Sequence, residues 1–286
     1  MKILFIGATG MLGKPVAKEL INSGFDVTLL ARDIDKTAAL FSGSKIIKGD
    51  VFDKASLNAA FTGMDAVYCN LSVLQTSKEK DLQPEREGIN KIIIAAKESG
   101  VKRIVYLSSL VHFYEGMNNF HWWAFEMKNN AVKKIKSSGV AYTIFYPSTF
   151  METFPYQMMR GNKIAMLGKS IAPMWFIAAA DYAKQVAASF SILAIKNKEY
   201  NIQGFEPFTF EESTKIFMEN YSKEKLKTMK APIWVMKYLG NFNPLFNYAW
   251  HICEALNKYP EKFESEESWK ELGKPVISLA EYAKSL

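Results

Sequence analysis

The sequence has 286 residues, of which 49% are hydrophobic and 23% charged, and this ordinary globular balance excludes a largely disordered chain. The formal net charge of +7 suits an anionic ligand, because the lysines are spread out and the densest group, at residues 133–136, falls on a predicted helix. The spread of the lysines also predicts no direct binding to nucleic acid. Two cysteines without metal-ligand or redox spacing predict a cytoplasmic protein without a metal site, and the lack of an apolar stretch of transmembrane length predicts no membrane partner.

The first half of the chain alternates short apolar runs with amphipathic stretches. Strands are predicted at residues 2–6, 26–31, 45–48, 66–69, 103–107 and 141–146. Helices are predicted at residues 14–22, 84–97 and about 125–136. Short connections between strand and helix predict parallel strands joined by right-handed crossovers. Such a sheet binds ligands at the carboxyl ends of its strands, so the residues there should converge on one edge.

The pattern changes after Pro147. Residues 149–168 lack a clean period, and the later elements predicted are a helix at residues 181–193, a strand at 199–203, a capping box at Thr209 and Glu212, and helix over 225–256. We therefore predict an α/β fold, a Rossmann-type doubly wound parallel sheet with a smaller, mostly helical C-terminal lobe. The predicted nucleotide-binding domain covers residues 1–150, with 178–204 returning to it. The predicted smaller lobe covers 151–177 and 205–286.

The glycine-rich loop at residues 7–13 follows the first strand and opens the first helix. Glycines let the backbone approach phosphate oxygens, and the helix N-terminus presents unpaired N–H groups. An ordinary tight turn is the alternative, but the complete βαβ unit favours the pyrophosphate of a nicotinamide dinucleotide. The cofactor contacts predicted here are Gly7, Thr9, Gly10, Met11, Leu12 and Gly13.

The residue that leaves the second strand predicts which nucleotide binds. Arg32 can pair with a 2′-phosphate, and Lys36 is close enough in sequence to assist, which favours NADP. NAD stays possible, because Arg32 can instead pair with a carboxylate and Asp33 can hold the ribose hydroxyls. Asp50 and Val51, after the third strand, are placed at the adenine, although Asp50 can equally cap the helix that begins nearby.

Several short motifs together have the form of one family. They are Gly-Ala-Thr-Gly-x-x-Gly at residues 7–13, Leu-Ala-Arg-Asp at 30–33, Gly-Asp-Val at 49–51, Ser-Ser at 108–109, Tyr-Thr-Ile-Phe-Tyr-Pro at 142–147, Phe-Met-Glu at 150–152 and Ala-Asp-Tyr-Ala at 180–183. On these motifs the chain resembles the atypical short-chain dehydrogenase/reductase group, in particular NmrA-like and isoflavone-reductase-like proteins. The resemblance covers most of the chain.

The resemblance also locates an active-site departure. The general family uses Tyr-x-x-x-Lys, in which the lysine lowers the pKa of the tyrosine. Lys128 fits the lysine position, but Ala124 occupies the tyrosine position. The isoflavone-reductase-like branch also lacks this tyrosine. The resemblance implies that Lys128 contacts the nicotinamide ribose or acts as general acid or base, and the alternative is a surface lysine on an amphipathic helix.

Other candidates lie at the strand ends. Ser108 can hold a substrate carbonyl or satisfy the turn, and Tyr114 is a possible substitute for the missing phenol. His112 and His121, in the same connection, are more typical of structural residues. Further predicted cofactor contacts are Asn70, Leu71, Ser72, Ser108, Tyr146 and Pro147. The residues expected to line an apolar pocket, or to form the core of the lobe, are Met151, Met158, Met159, Met174, Trp175, Trp234, Met236 and Trp250.

Two functions follow from these observations. The first is an NADPH-dependent oxidoreductase that transfers hydride to a small apolar carbonyl, enone or quinone. The alternative is a non-catalytic NADP(H)-sensing regulator of NmrA type with a protein partner, which Ala124 favours. Epimerase or dehydratase chemistry on a nucleotide sugar is a third idea, and the missing tyrosine argues against it.

Overall fold

The computed structural model describes residues 1–192 and 197–286. The strands of these residues are β1 (Lys2–Ile6), β2 (Asp26–Ala31), β3 (Lys45–Lys48), β4 (Ala66–Cys69), β5 (Arg103–Leu107), β6 (Ala141–Pro147), β7 (Met159–Arg160), β8 (Lys163–Leu167), β9 (Met174–Trp175), β10 (Lys198–Ile202), β11 (Pro207–Phe208) and β12 (Lys227–Ala231). The α-helices are α1 (Gly13–Asn22), α2 (Ile34–Leu40), α3 (Lys54–Phe61), α4 (Ile89–Glu98), α5 (Trp123–Lys136), α6 (Ala179–Ser191), α7 (Phe210–Asn220), α8 (Ile233–Gly240), α9 (Pro244–Lys258), α10 (Glu266–Leu272) and α11 (Leu279–Lys284).

Within the described residues, seven strands form one parallel sheet in the order β10-β6-β5-β4-β1-β2-β3. Successive side chains of a strand point to opposite faces. In β1, accordingly, Ile3 and Phe5 join the core with α1 and α6, whereas Leu4 and Ile6 join the core with α3, α4 and α5. Burial on both faces explains why these strands are nearly continuous apolar runs. The predicted Rossmann-type sheet is confirmed.

The predicted helix at residues 84–97 is present, but its first turn is not α-helical. A π-helical turn spans Pro84–Gly88 and continues directly into α4. A π turn adds a residue to the helical turn and re-aims the side chains that precede it, and such turns are frequent at functional sites. Here the turn carries the buried Glu85 toward the sheet edge.

The C-terminal part departs most from the prediction. Residues 225–256 were expected to be helical, but they contain β12, α8 and α9, and β12 pairs with β8 in a three-stranded sheet with β7. The capping box at Thr209 is present at the start of α7. Helix α6 packs on α1 and β10 extends the main sheet. Leu193, the predicted end of α6, lies outside the described residues, and the division into two domains stays a prediction.

Two further apolar cores hold the C-terminal segments. One contains Phe154, Phe176 and Phe217, with the rings of Phe154 and Phe217 stacked 4.6 Å apart. The other joins the connection before α5 to α9, through Phe120, Trp122 and Ala255. Together these two cores pack the C-terminal segments against the carboxyl edge of the sheet. In the described part of the chain, no helix is long and apolar enough to cross a membrane.

Candidate functional site

The glycine loop between β1 and α1 is as tight as the backbone allows. Gly7 has a φ of +88°, and a Cβ there would lie 2.2 Å from the carbonyl oxygen of Asn70. A Cβ on Gly13 would lie 2.0 Å from the carbonyl oxygen of Gly7. The Asn70 side chain donates to that same oxygen at 3.1 Å. Both glycines are therefore required to hold the loop against β4.

The first turn of α1 is open to an anion. Its N-cap, Leu12, provides no side-chain hydrogen bond, and the turn contains no acidic residue. Thr9 and Gly10 are exposed, and Met11 and Leu12 line the cavity described below. The N-terminal N–H groups and the positive end of the helix dipole thus face outward without a competing carboxylate, and this geometry fits a pyrophosphate.

Arg32 and Asp33, the two residues after β2 that could contact the ribose or its 2′-phosphate, differ in their hydrogen bonds and ion pairs. Asp33 accepts a hydrogen bond from the backbone N–H of Lys36 at 2.9 Å and caps α2. Arg32 is exposed and forms no ion pair with any carboxylate of the described residues, including Asp33. A guanidinium in this position is available to a 2′-phosphate, whereas the Asp33 carboxylate is engaged in the cap.

After β3, the carboxylate of Asp50, which is predicted to lie at the adenine, accepts from the backbone N–H of Phe52 at 2.9 Å. Helix α3 is capped by Asp53, which accepts from Ala55 and Ser56, so the alternative capping role of Asp50 is wrong. Those two hydrogen bonds hold the pKa of Asp53 below its usual range. Val51 follows Asp50 and is half-buried.

A cavity of about 220 Å³ opens at the carboxyl ends of β4, β5 and β6. The predicted residues that line it are Met11, Leu12, Asn70, Leu71, Ser72, Ser108, Lys128 and Pro147. Its apolar wall includes Leu107, Val111, Trp122, Phe125, Phe150 and Ile252. Met174 also lines it, whereas Met151 belongs to the lobe core and Trp234 is exposed. The structure therefore brings residues from all three strand ends to one place beside the glycine loop.

Lys128 is held by a buried acid, which the sequence did not indicate. Its Nζ donates to Glu85, whose side chain is 1% exposed, and the hydroxyl of Tyr106 donates to the same oxygen at 2.6 Å. Burial, together with the charge of Glu85, raises the pKa of Tyr106 well above its ordinary range. Lys128 is only 16% exposed, so the alternative of an ordinary surface lysine is wrong. Buried charges require such a partner.

Ser108 is paired with a neutral histidine. Its Oγ lies 3.1 Å from Nδ1 of His112, and both side chains are buried. Burial, and then the charge of Lys128, lowers the pKa of His112 to about 3. Its Nε2 has no hydrogen-bond partner among the described residues. The imidazole thus stays uncharged at neutral pH, and one of its tautomers leaves the Ser108 hydroxyl free to donate into the cavity.

The two tyrosines predicted at the site, Tyr114 and Tyr146, do not line the cavity. Tyr114, at the end of the 3₁₀ turn Val111–Tyr114, is completely buried against Phe120, and its hydroxyl accepts from Asn118 at 3.2 Å. Tyr146 points to the face of β6 that packs on α3, α4 and α5, and its hydroxyl donates to Glu199 at 2.8 Å. The alternation of side chains along a strand explains this direction. Neither phenol reaches the cavity that Ala124 lines, so Tyr114 does not take the place of the missing tyrosine.

A second carboxyl lines the cavity from the C-terminal lobe. Glu261, 8% exposed, accepts from Ser148 Oγ at 2.8 Å and from Gln203 Nε2 at 2.7 Å. Gln203 also donates to Lys262, and its carbonyl accepts from Glu264 and Ser265, so its orientation is determined. Burial raises the pKa of Glu261 to about 7, although the hydrogen bonds from Gln203 and Ser148 act in the opposite direction.

Two tyrosines of the same lobe complete the wall. Tyr248 of α9 packs its ring 5.2 Å from that of Trp122, and Tyr259 follows α9. Burial, and then the charge of Glu85, raises the pKa of Tyr248 to about 12, and burial raises that of Tyr259 to about 12. No local spacing in the sequence relates these residues or Glu261 to Lys128, because they meet only through the packing of the lobe.

The chain is similar to several known proteins. The sequence model of the NAD(P)H-binding family matches residues 7–189, from the glycine loop to α6. Photosystem II assembly factor Ycf39 of Synechocystis sp. is 22% identical over 262 residues, which are 90% of this chain and 78% of that protein. The (4-alkanoyl-5-oxo-2,5-dihydrofuran-3-yl)methyl phosphate reductase of Streptomyces griseus is 28% identical over 216 residues, which are 74% and 71%.

The fold is shared with solved nucleotide-binding proteins. The NADPH-dependent quinone oxidoreductase of Escherichia coli, solved with NADPH, superposes with a TM-score of 0.77 at 21% identity, covering 99% of each chain. Together with the family match, this confirms the fold class, the relation to NAD(P)-binding reductase-like proteins and the nicotinamide cofactor predicted from residues 7–13.

Proposed function

Because the chain belongs to the NAD(P)H-binding family, we propose that it is an NADPH-dependent oxidoreductase of the atypical short-chain dehydrogenase/reductase type. Its substrate is a small apolar carbonyl, enone or quinone. One observation carries the proposal: a largely apolar cavity beside the glycine loop contains the Lys128–Glu85 pair on one wall and the protonatable Glu261 on another. An enclosed apolar site with a few convergent polar groups of shifted pKa is typical of an active site.

The preference for NADPH over NADH rests on Arg32. Its side chain is exposed and forms no ion pair with a carboxylate of the described residues, whereas the Asp33 carboxylate caps α2 by accepting from the backbone N–H of Lys36. A bidentate guanidinium–phosphate pair is specific for the 2′-phosphate that distinguishes NADPH. Lys36, at the start of α2, adds positive charge nearby.

Bound NADPH supplies the hydride. The side chains of the cavity then bind and orient the cofactor and the substrate. Glu85 holds the Lys128 ammonium at the cavity, where it can donate to ribose hydroxyls. Ser108, supported by the neutral His112, can donate to a substrate oxygen on which negative charge develops.

Reduction of a carbonyl also requires a proton. The proton donor is either a phenol of the cavity wall, Tyr248 or Tyr259, each with a pKa of about 12, or Glu261, with a pKa of about 7. At neutral pH the phenol is a far weaker acid, whereas a carboxyl with a pKa near 7 is both sufficiently acidic and about half protonated. We therefore assign proton transfer to Glu261, with Ser148 and Gln203 as the residues that position it.

The cavity favours a small substrate. Its volume of about 220 Å³ lies below the range of roughly 300–1,000 Å³ that suits drug-sized ligands. The similar proteins from Escherichia coli and Streptomyces griseus are named for reducing a quinone and a dihydrofuranone phosphate. A one- or two-ring quinone or enone is consistent with the size and the apolar lining.

The test is turnover. Loss of NADPH absorbance is measured with purified protein and a panel of quinones, enones and aldehydes, in wild type and in Lys128→Met. Activity with any substrate that falls at least a hundredfold in the variant supports the proposal. An inactive wild type that still binds NADPH tightly contradicts it.

Ala124 supports a second function. Without the usual tyrosine, the protein could bind NADP(H) and report its redox state to a protein partner. The similar Ycf39 protein is named as an assembly factor, which is a role among proteins. Tight binding that differs between NADPH and NADP⁺, no turnover, and a partner captured only in one of the two states would favour this sensor.

A further inference from the structure

Helix α8 presents large apolar side chains to solvent. Trp234, Tyr238 and Phe242 are 71%, 63% and 77% exposed. Their spacing of four residues places them along one side of the helix and of the turn that follows it. The opposite side is closed, because a Cβ on Gly240 would lie 2.9 Å from the ring of Trp250 in α9. The helix therefore packs tightly on the lobe and leaves an aromatic ridge (Trp234, Tyr238 and Phe242) outside.

The segment that contains this ridge is basic. Residues 221–245 contain five lysines and one glutamate. In the three-stranded sheet, Lys227 lies opposite Lys163, and Lys163 lies opposite Arg160. Like charges directly opposite one another are unfavourable within a sheet, and none of these three cations forms an ion pair with a carboxylate of the described residues. The positive charge is thus concentrated at the surface without internal compensation.

Exposed aromatic rings beside lysines are the composition of a surface that lies on a membrane. Trp and Tyr sit at the level of the lipid head groups, and lysines attract anionic head groups. A nucleic-acid surface is less consistent, because residues 221–245 contain no arginine, the residue that reads bases and stacks on them, and the guanidinium of the nearby Arg160 donates to backbone carbonyls. No spanning helix is needed for such peripheral contact, so the expectation of no membrane partner, which rested on length alone, does not exclude it.

We propose that the aromatic ridge and the basic strand β12 form a docking surface for an anionic phospholipid membrane. The ridge inserts its rings among the head groups, while Lys227 and Lys163, which lie opposite each other on one face of the three-stranded sheet, pair with lipid phosphates or carboxylates. Helix α9, which carries Tyr248 into the cavity, lies directly beneath α8. Membrane contact thus brings the bilayer to the lobe that covers the candidate active site. The proposal does not depend on the reductase function.

Sedimentation with vesicles tests the proposal on the full chain. Wild type should bind vesicles of phosphatidylcholine with about 30% phosphatidylserine and not vesicles of phosphatidylcholine alone, and salt should weaken the binding. One lysine near an anionic surface contributes roughly fivefold in partition. Lys163→Glu/Lys227→Glu should therefore lose at least tenfold in affinity, and Trp234→Ser/Tyr238→Ser/Phe242→Ser should lose a similar factor.

The matched control removes apolar side chains that are equally exposed elsewhere. Leu82 and Val276 are each 66% exposed, and Leu82→Ser/Val276→Ser should bind vesicles as wild type does. NADPH affinity, unchanged in every variant, shows that each one is folded. Failure of wild type to bind the anionic vesicles overturns the proposal. So does equal binding to both vesicle types, binding to a single-stranded oligonucleotide instead of vesicles, or an aromatic variant that only turns a dimer into a monomer.

Discussion

Replacing Glu261 by glutamine tests the proposed chemistry most directly. The carboxyl lines the cavity, and burial raises its pKa to about 7. If it donates the proton, wild-type kcat/KM should fall above pH 7 by about tenfold per pH unit, because only the protonated fraction is active. Glu261→Gln cannot transfer a proton, so its profile should lose this limb. At pH 6 its rate should be about a hundredfold lower, the smaller end of the range for general acids.

The same substitution has a stability consequence. A folded-state pKa of about 7, against an ordinary value of 4.5, means that the folded protein holds this proton more tightly than the unfolded chain. The contribution to stability is therefore fully present below pH 4.5 and is lost as the pH rises to 7, by roughly 3 kcal/mol at most. Urea unfolding between pH 4 and pH 8 should show a smaller decline in Glu261→Gln.

Glu152 provides the matched control. It is also buried, and its pKa is also raised to about 7 by burial, but it accepts from the backbone N–H of Ala179 and does not line the cavity. Glu152→Gln should flatten the pH dependence of stability in the same way and leave the alkaline limb of kcat/KM unchanged. If both variants lose the limb, or if Glu261→Gln keeps it, the assignment of proton transfer to Glu261 is wrong.

Four further outcomes follow from the site. Arg32→Ala should weaken NADPH binding by roughly 10- to 100-fold and barely change NADH binding, measured by titration calorimetry; equal losses would contradict the 2′-phosphate role. Lys128→Met should lower the unfolding free energy by about 3–5 kcal/mol by leaving Glu85 unpaired, and adding Glu85→Gln should restore stability but not activity. Gly13→Ala should cost about 1–3 kcal/mol and weaken NADPH binding, since its Cβ meets the Gly7 carbonyl. His112→Asn should retain about 2 kcal/mol more stability between pH 6.5 and pH 5 than wild type does, because the buried imidazole resists protonation.

The sheet could be predicted because its signals are local. Strands buried on both faces must be apolar throughout, and the runs at residues 2–6, 26–31 and 66–69 match β1, β2 and β4 to the residue. The failure at β12 has the complementary cause. Its sequence, Lys-Thr-Met-Lys-Ala, is exposed on nearly every side chain and carries no strand pattern. Its backbone becomes a strand only because β8, more than sixty residues earlier, offers a hydrogen-bonding edge.

The candidate site divides in the same way. The glycine loop could be predicted because its function lies in the backbone of consecutive residues. Glu85 could not, since it reaches Lys128 across 43 residues of sequence by way of a π-helical turn. The predictions for Tyr114 and Tyr146 were wrong because a position near a strand end does not determine the direction in which a side chain points. In β6, Tyr146 is directly adjacent to Pro147, yet only Pro147 lines the cavity.

The proposed proton donor, Glu261, lies in a different part of the chain from the segment that binds the cofactor. The family match ends at residue 189, so the nicotinamide cofactor is explained by the matched segment, which contains the glycine loop, Arg32 and Lys128. Glu261 and Tyr248 lie beyond it, in the lobe, and reach the cavity through the Ser148 and Trp122 contacts. A relative that keeps residues 7–189 but packs a different lobe would retain the cofactor and lose the proton donor. We therefore expect the C-terminal lobe, through Glu261, to determine whether an NAD(P)H-binding chain of this type reduces a substrate or only senses the nucleotide.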